Sequence, residues 1–100
     1  MEFTQILEIE GGCMRFMVEY TITPEARNEV QALFKATGAM PPAGVELLGR
    51  WHDAASLKGY MLCETVDPVG IAVWLQDWTH MMTFNAVSVV DDEQMAGVIS

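Results

Sequence analysis

The stretch Gly44 to Thr65, GVELLGRWHDAASLKGYMLCET, decides the fold, because two apolar runs flank one polar segment in it. Such a pattern is typical of a β-hairpin. Its first arm ends in Gly49-Arg50-Trp51-His52-Asp53, a cluster of cation, indole, imidazole and carboxylate that a purely structural strand end does not require. We therefore expect any functional site to involve this strand end.

A strand and a helix are predicted before the hairpin. Residues Arg15 to Ile22, RFMVEYTI, are dense in aromatic and β-branched side chains and fit a largely buried strand. The segment Thr23-Pro24-Glu25 indicates a helix start, since it supplies an N-cap, a proline at the first helical position and an acid near the positive helix end. Gly38 is a suitable C-terminal cap for this helix.

A second helix and a fourth strand are predicted after the hairpin. Asp67-Pro68 repeats the cap-plus-proline start, and the run Met82 to Val90, MTFNAVSVV, favours a last strand. Asp91 or Asp92 then caps a short terminal helix. The order β, α, β, β, α, β predicts an α+β protein with a ferredoxin-like sheet, in which two helices cover one face.

The uncovered face of this sheet is expected to form a homodimer. Hydrophobic residues make up 51% of the chain and charged residues only 19%, which suggests more apolar surface than one subunit covers. A sheet-to-sheet interface, as in a dimeric α/β barrel, is the simplest way to bury it. A length of 100 residues suits one domain. We assign that domain to residues 14–100 and treat residues 1–13, which end near a Gly-Gly pair, as an N-terminal extension.

Charge and cysteine content exclude several classes of partner. The formal net charge of −9 should repel phosphate backbones and anionic membrane surfaces, so neither nucleic acid nor a membrane is an expected partner. Cys13 and Cys63 are the only cysteines, too few for the disulfide framework of a small secreted domain. No apolar run approaches the ~18 residues of a membrane span, and no signal peptide is recognisable. A cytoplasmic protein is the resulting prediction.

Several stretches together resemble a known family. They are Arg15 to Val18, Ala39 to Pro42, Gly44-Val45, Leu47 to His52, Glu64-Thr65 and Trp78, of which LLGRWH is the most specific. The pattern is similar to a family of small bacterial proteins classified only as a domain of unknown function, number thirty-three-oh-three in that series, of the dimeric α/β barrel type. The resemblance implies a ferredoxin-like subunit dimerised sheet to sheet and no established activity. The wider superfamily includes cofactor-free monooxygenases, isomerases, haem-handling enzymes and ligand binders, so fold alone does not choose among them.

Strand alternation predicts which residues of the hairpin share a face. Arg50 and His52 should point to one face, and Leu47, Gly49 and Trp51 to the other. Because a charged pair is poorly suited to packing under helices, we place Arg50 and His52 in the space between the two sheets of the dimer. The further residues expected to line that space are Met17, Glu19, Met61, Cys63 and Asn85. Trp51 is an additional candidate for stacking on an aromatic ligand.

Two roles are open for each polar residue of the candidate site. His52 is a general base or ligand anchor in the first interpretation, because imidazole titrates near neutrality. In the second interpretation it is a strand-end residue hydrogen-bonded to the turn through Asp53. Arg50 either holds a substrate carboxylate through two parallel hydrogen bonds or pairs with Glu19 inside the interface. His52 and Arg50 are therefore the candidate catalytic residues.

The leading functional hypothesis is a homodimer that binds a small, mostly apolar or aromatic acid. Its enzymatic form is proton abstraction beside a carbonyl, as in cofactor-free isomerases and monooxygenases. The alternative is a structural or interaction module without a ligand. No cofactor is predicted. The chain has no glycine-rich phosphate loop, and no Ser-His-Asp arrangement for nucleophilic catalysis is recognisable.

A third hypothesis is a soft-metal site that bridges the dimer. Its ligands would come from His52, Met61, Cys63 and the segment His80-Met81-Met82, because sulfur ligands favour Cu(I) and imidazole suits copper or zinc. The chain has no CxxC, HxH or HExxH motif, so this hypothesis depends on composition alone. The eight methionines are otherwise explained as adaptable core residues.

Overall fold

The computed structural model describes residues 12–99, which form four strands and three helices. The strands are β1 (Met14–Ile22), β2 (Val45–His52), β3 (Lys58–Thr65) and β4 (Met82–Val89). The helices are α1 (Arg27–Thr37), α2 (Val69–Gln76) and α3 (Asp92–Ile99). Most of the predicted extension, residues 1–11, lies outside the described residues, so the division of the chain at residue 14 stays a prediction.

The strands form one antiparallel sheet in the order β2-β3-β1-β4. The central strand β1 pairs with β3 on one side and with β4 on the other, and β2 pairs with β3 at the edge. Helix α1 therefore connects β1 to a strand two positions away, which requires a crossover over one face of the sheet. The predicted α+β class with a ferredoxin-like sheet is confirmed.

The core lies between one face of this sheet and the helices α1 and α2. Alternate residues of β1, namely Val18, Tyr20 and Ile22, are buried under the helices and define the inner face of the sheet. The other buried apolar side chains of this core are Val30, Val45, Met61, Cys63, Ile71, Trp74, Leu75, Trp78 and Met81. Helix α3 has no buried residue. The opposite sheet face, here called the outer face, carries the intervening residues of each strand.

The ends of the helices follow local sequence signals, with one difference from expectation. Gly38 adopts the left-handed conformation at φ 74° and donates its N–H to the Phe34 carbonyl at 2.7 Å, which ends α1 as predicted. At the other end, residues 24–26 form a 3-10 turn, so α1 begins only at Arg27. Asp67 accepts the Val69 N–H at 3.0 Å and caps α2 as predicted. Within residues 12–99, no helix has the length and apolar character to cross a bilayer.

A β-bulge in β2 changes which side chains face the helices. Leu47 lies opposite Cys63, but Gly49 already lies opposite Leu62, so Leu48 is an extra residue without a partner on β3. A bulge of this kind shifts side-chain alternation by one position. After it, Arg50 lies opposite Met61 on the inner face. The prediction that Leu47 and Arg50 point to opposite faces is therefore wrong.

The aromatic ring of Tyr20 occupies the space above Gly59, its direct neighbour on β3. A Cβ at Gly59 would overlap this ring, so we expect Gly59→Ala to lower the free energy of unfolding by about 1–3 kcal/mol, the usual cost of overpacking. Urea unfolding followed by circular dichroism measures the effect. Gly97→Ala is the control, because among residues 12–99 no atom lies within 4 Å of a Cβ at that position in α3. Equal stability of the two variants would contradict the tight contact.

Candidate functional site

A cavity of about 210 Å³ lies between the inner face of the sheet and the helices α1 and α2. Its walls are mostly apolar, with Trp74, Leu75 and Trp78 on the side of α2. The polar side chains Arg50 and His52 reach it from the end of β2. An apolar cavity with a few convergent polar groups is the usual form of a small-molecule site.

The Arg50 guanidinium connects β2 to the C-terminal end of α1. Its Nη1 donates to the Ala39 carbonyl at 2.9 Å and its Nη2 to the Gly38 carbonyl at 3.0 Å. The guanidinium carbon also lies 4.9 Å from the centre of the Phe34 ring, in cation–π geometry. The negative end of a helix dipole favours a cation at this place. Burial lowers the pKa of Arg50, but an arginine keeps its charge in proteins.

Within the described part of the chain, no carboxylate forms an ion pair with Arg50. Among residues 12–99, the ion pairs join Arg15 to Glu64 and to Asp91, and Lys58 to Glu19, and none of them includes Arg50. The predicted pairing of Arg50 with Glu19 is therefore wrong, because the two side chains lie on opposite faces of the sheet. A cation without a counter-charge thus lies at the edge of an apolar cavity.

Tyr20 and His52 form the second polar feature of the cavity. The Tyr20 hydroxyl is hydrogen-bonded to His52 Nδ1 across Gly59, and the two ring centres are 6.1 Å apart. When Nδ1 is unprotonated, the hydroxyl donates the hydrogen bond to it. When Nδ1 carries the proton, Nδ1–H donates to the hydroxyl oxygen. Burial raises the pKa of Tyr20, while the Arg50 charge opposes this shift, so the phenol stays neutral at physiological pH.

The predicted contact between His52 and Asp53 is also wrong. One carboxylate oxygen of Asp53 accepts the Leu57 and Lys58 N–H groups at 3.0 and 3.2 Å, so Asp53 organises the hairpin turn. His52 instead contacts Tyr20 and the Phe34 ring, whose centre lies 5.5 Å from the imidazole. His52 is thus held by the strand and helix that form the cavity rather than by the turn.

The structure divides the predicted site residues between the two faces of the sheet. Arg50, His52 and Met61 line the cavity together. Cys63 shares their face but is fully buried in the core, where burial raises the pKa of its thiol. The remaining predicted residues lie on the outer face, and they are Met17, Glu19, Trp51 and Asn85. The prediction of one common space between two sheets is wrong, because the bulge in β2 turns Arg50 and His52 toward the helices.

Sequence reasoning missed Tyr20 as a site residue, because the alternation of β1 marks it only as a core position. A signal was available in Gly59, since a glycine inside a strand often marks the close approach of another group. Trp74 and Trp78 are both core residues and cavity walls.

The soft-metal hypothesis finds no support in the described part of the chain. Within residues 12–99, no group of three or more His, Cys, Asp or Glu side chains is placed to hold a metal ion. Cys63, one of the suggested ligands, is fully buried.

The raised pKa of Tyr20 predicts a loss of stability at alkaline pH. Above about pH 10 the tyrosine of the unfolded chain ionises while the buried phenol keeps its proton, so the unfolded state is favoured increasingly as pH rises through the folded-state pKa. Tyr20→Phe should therefore show a flatter decline in unfolding free energy between pH 9 and 11 than the wild type. Urea unfolding at several pH values measures this. Tyr60→Phe, on the outer face, is the control, and equal slopes for wild type and Tyr20→Phe would contradict the prediction.

Comparison with known proteins gives a family for the chain and no activity. No curated protein sequence matches it. The dimeric type implied by the LLGRWH stretch stays a prediction, as does any role of the site residues. The model of the family described as Domain of unknown function (DUF3303) matches residues 14–100, which confirms that the chain belongs to this family.

Proposed function

We propose that the protein binds a small, mostly apolar carboxylic acid in the cavity between the sheet and the helices. The observation that carries this proposal is the charge of Arg50 at the edge of a mostly apolar cavity, a charge that no carboxylate of residues 12–99 pairs with. An arginine has five N–H donors, and the two bonds to Gly38 and Ala39 leave others for a ligand. A carboxylate is the group whose geometry matches such a donor set.

The size and walls of the cavity favour an acid with one aromatic ring. Pockets for drug-sized ligands measure about 300–1,000 Å³, so a cavity of about 210 Å³ favours a smaller molecule, on the scale of a phenylpropanoic acid. Trp74, Trp78 and Phe34 offer ring faces and edges for contact with an aromatic group. An apolar tail buried against them would supply most of the affinity.

The enzymatic form of this proposal uses the pair formed by His52 and Tyr20. When Nδ1–H of His52 donates to the Tyr20 oxygen, Nε2 is the unprotonated nitrogen and is able to accept a proton from a ligand. Such a base beside a bound acid suits proton abstraction next to a carbonyl, the first step of many isomerases and cofactor-free oxygenases. Ligand binding is the first test, because it does not require knowledge of a reaction.

Binding should depend on the Arg50 charge and on the carboxylate of the ligand. We expect 3-phenylpropanoate to bind the wild type at least about tenfold more tightly than the neutral 3-phenylpropanamide, as a charge-assisted hydrogen bond contributes about 1.5–3 kcal/mol. Arg50→Met should remove this difference. Calorimetry and the fluorescence of Trp74 and Trp78 measure both affinities.

Arg15→Met is the matched control, because Arg15 lies on the outer face and pairs with Glu64 and Asp91. It should leave both affinities unchanged. Equal binding of acid and amide to the wild type would overturn the carboxylate assignment. No binding of either compound would overturn the ligand function and favour a non-catalytic interaction module.

We also propose that the outer face pairs with the same face of a second copy. Several large apolar side chains are exposed there: Met17, Leu48, Trp51, Tyr60 and Val87. An exposed apolar area of this kind is typical of an interaction surface. Two cations lie on this face, with Arg15 joined to Glu64 and Lys58 near Glu19, and the further acid Glu46 lies opposite Glu64. The two cations reduce the repulsion between the acidic groups of two copies.

A charge at the centre of the outer face should prevent this pairing. We expect the wild type to be a dimer at micromolar concentration and Met17→Lys to be a monomer, because an unpaired buried charge costs several kcal/mol. Light scattering measures the mass. Val73→Lys on the exposed side of α2 is the control and should stay dimeric. A monomeric wild type would contradict the proposal. Met61 is unsuitable for this test, since it lies in the core under the helices.

A further inference from the structure

We infer that Tyr20 is a specificity-determining residue, and that the preferred ligands are acids with a hydroxyl or oxo oxygen on the carbon next to the carboxylate. This inference rests on the proposed binding of an apolar acid and names its class more closely. The ligand would be a 2-hydroxy or 2-oxo acid with an aromatic tail.

Arg50, His52 and Tyr20 lie close together at the cavity, whose other polar lining residues are Gln31, Ser56 and Lys58. Arg50 and His52 are two residues apart on the inner face of β2, so their Cα atoms are separated by roughly 6.6 Å. Both side chains contact the Phe34 ring, Arg50 at 4.9 Å and His52 at 5.5 Å between centres. Tyr20 joins this group through its bond to His52. The anion-binding group and the phenol are thus neighbours.

Most other lining side chains are apolar, among them Trp74, Leu75 and Trp78 on the α2 side and Met82 of β4, the strand at the opposite edge of the sheet from β2. A ligand that matches this arrangement has its polar atoms grouped on one terminus and its apolar atoms on the other. An oxygen on the carbon next to a carboxylate satisfies this condition. A hydroxyl at the far end of an aromatic ring does not, because it would lie among the tryptophans.

The Tyr20 hydroxyl has hydrogen-bonding capacity that the protein does not use. Tyr20 is only 5% exposed, and within residues 12–99 its hydroxyl has one hydrogen-bond partner, His52. A hydroxyl offers one donor and two acceptor positions. When it donates to His52, it still accepts from a ligand hydroxyl, and when it accepts from His52, it donates to a ligand carbonyl. The same residue therefore serves 2-hydroxy and 2-oxo acids.

The position of this hydroxyl is fixed by close packing. The ring lies over Gly59 on one side, and the Phe84 ring lies 6.4 Å away on the neighbouring strand β4. A preorganised group loses little freedom when a ligand binds. A ligand without the matching oxygen would leave a buried hydroxyl partly unpaired, and sites of this kind discriminate strongly against such analogues.

The test compares ligands of matched shape. The probes are 2-hydroxy-3-phenylpropanoate, 2-oxo-3-phenylpropanoate and 2-methyl-3-phenylpropanoate, in which a methyl group replaces the oxygen. We expect the wild type to bind the two oxygenated acids at least about tenfold more tightly than the methyl compound. Tyr20→Phe should reduce this ratio to about one, because the phenyl ring has no hydroxyl to bond the added oxygen. Tyr60→Phe, on the outer face, should keep the wild-type ratio.

The outcomes separate this inference from the proposed function. Binding of 3-phenylpropanoate without preference for the oxygenated acids would overturn the role of Tyr20 and leave the proposed function intact. A preference that survives in Tyr20→Phe would overturn it in the same way. Absence of binding by every acid would overturn both. If Tyr20→Phe does not fold, the comparison of oxygenated and methyl acids in the wild type still decides whether the ligand class is correct.

Discussion

One extra residue in β2 determines what kind of site this sheet has. Leu48 has no partner on β3, and the alternation of side chains changes at this point. Without the bulge, Arg50 and His52 would lie on the outer face, among side chains that a second copy is proposed to cover. With the bulge, both side chains point under α1. There Arg50 donates to the carbonyls at the end of the helix, and His52 is hydrogen-bonded to Tyr20. The cavity and its polar end therefore depend on a local irregularity in strand pairing.

Two glycines allow the aromatic residues of the sheet to lie flat. Gly59 is covered by Tyr20 on the inner face, and Gly49 is covered by Trp51 on the outer face. A glycine within a strand weakens it, because it has no side chain to pack, and an aromatic ring that covers it restores the lost contact. On the inner face the arrangement has a second consequence. The Tyr20 ring spans the width of β3 and reaches His52 on the edge strand, a contact that any larger residue at position 59 would block.

The sequence predicted the order of elements well and the direction of side chains in β2 poorly. Helix ends and strands depend on local signals, such as Gly38 after α1 and Asp67 before α2, and these were recognised. The position of a bulge depends on how two strands align over their whole length. A prediction that assumes strict alternation from Leu47 onward therefore could not include it. The hydrogen bond between Tyr20 and His52 joins residues 32 positions apart, and only the pairing of β1, β3 and β2 brings them together.

The partners of Arg50 explain how an acidic chain is able to offer a cation to a ligand. A carboxylate partner, as first expected for Glu19, would have held the side chain in place and also cancelled its charge. The carbonyls of Gly38 and Ala39 hold it equally well through two hydrogen bonds and leave the net charge in place. On the outer face the opposite arrangement holds, since Arg15 and Lys58 lie next to carboxylates. A cation paired with a carboxylate is suited to a surface that becomes buried. A cation without a carboxylate partner is suited to a site that binds an anion. The two faces of the sheet therefore favour different contacts, because the cations on each face have different partners.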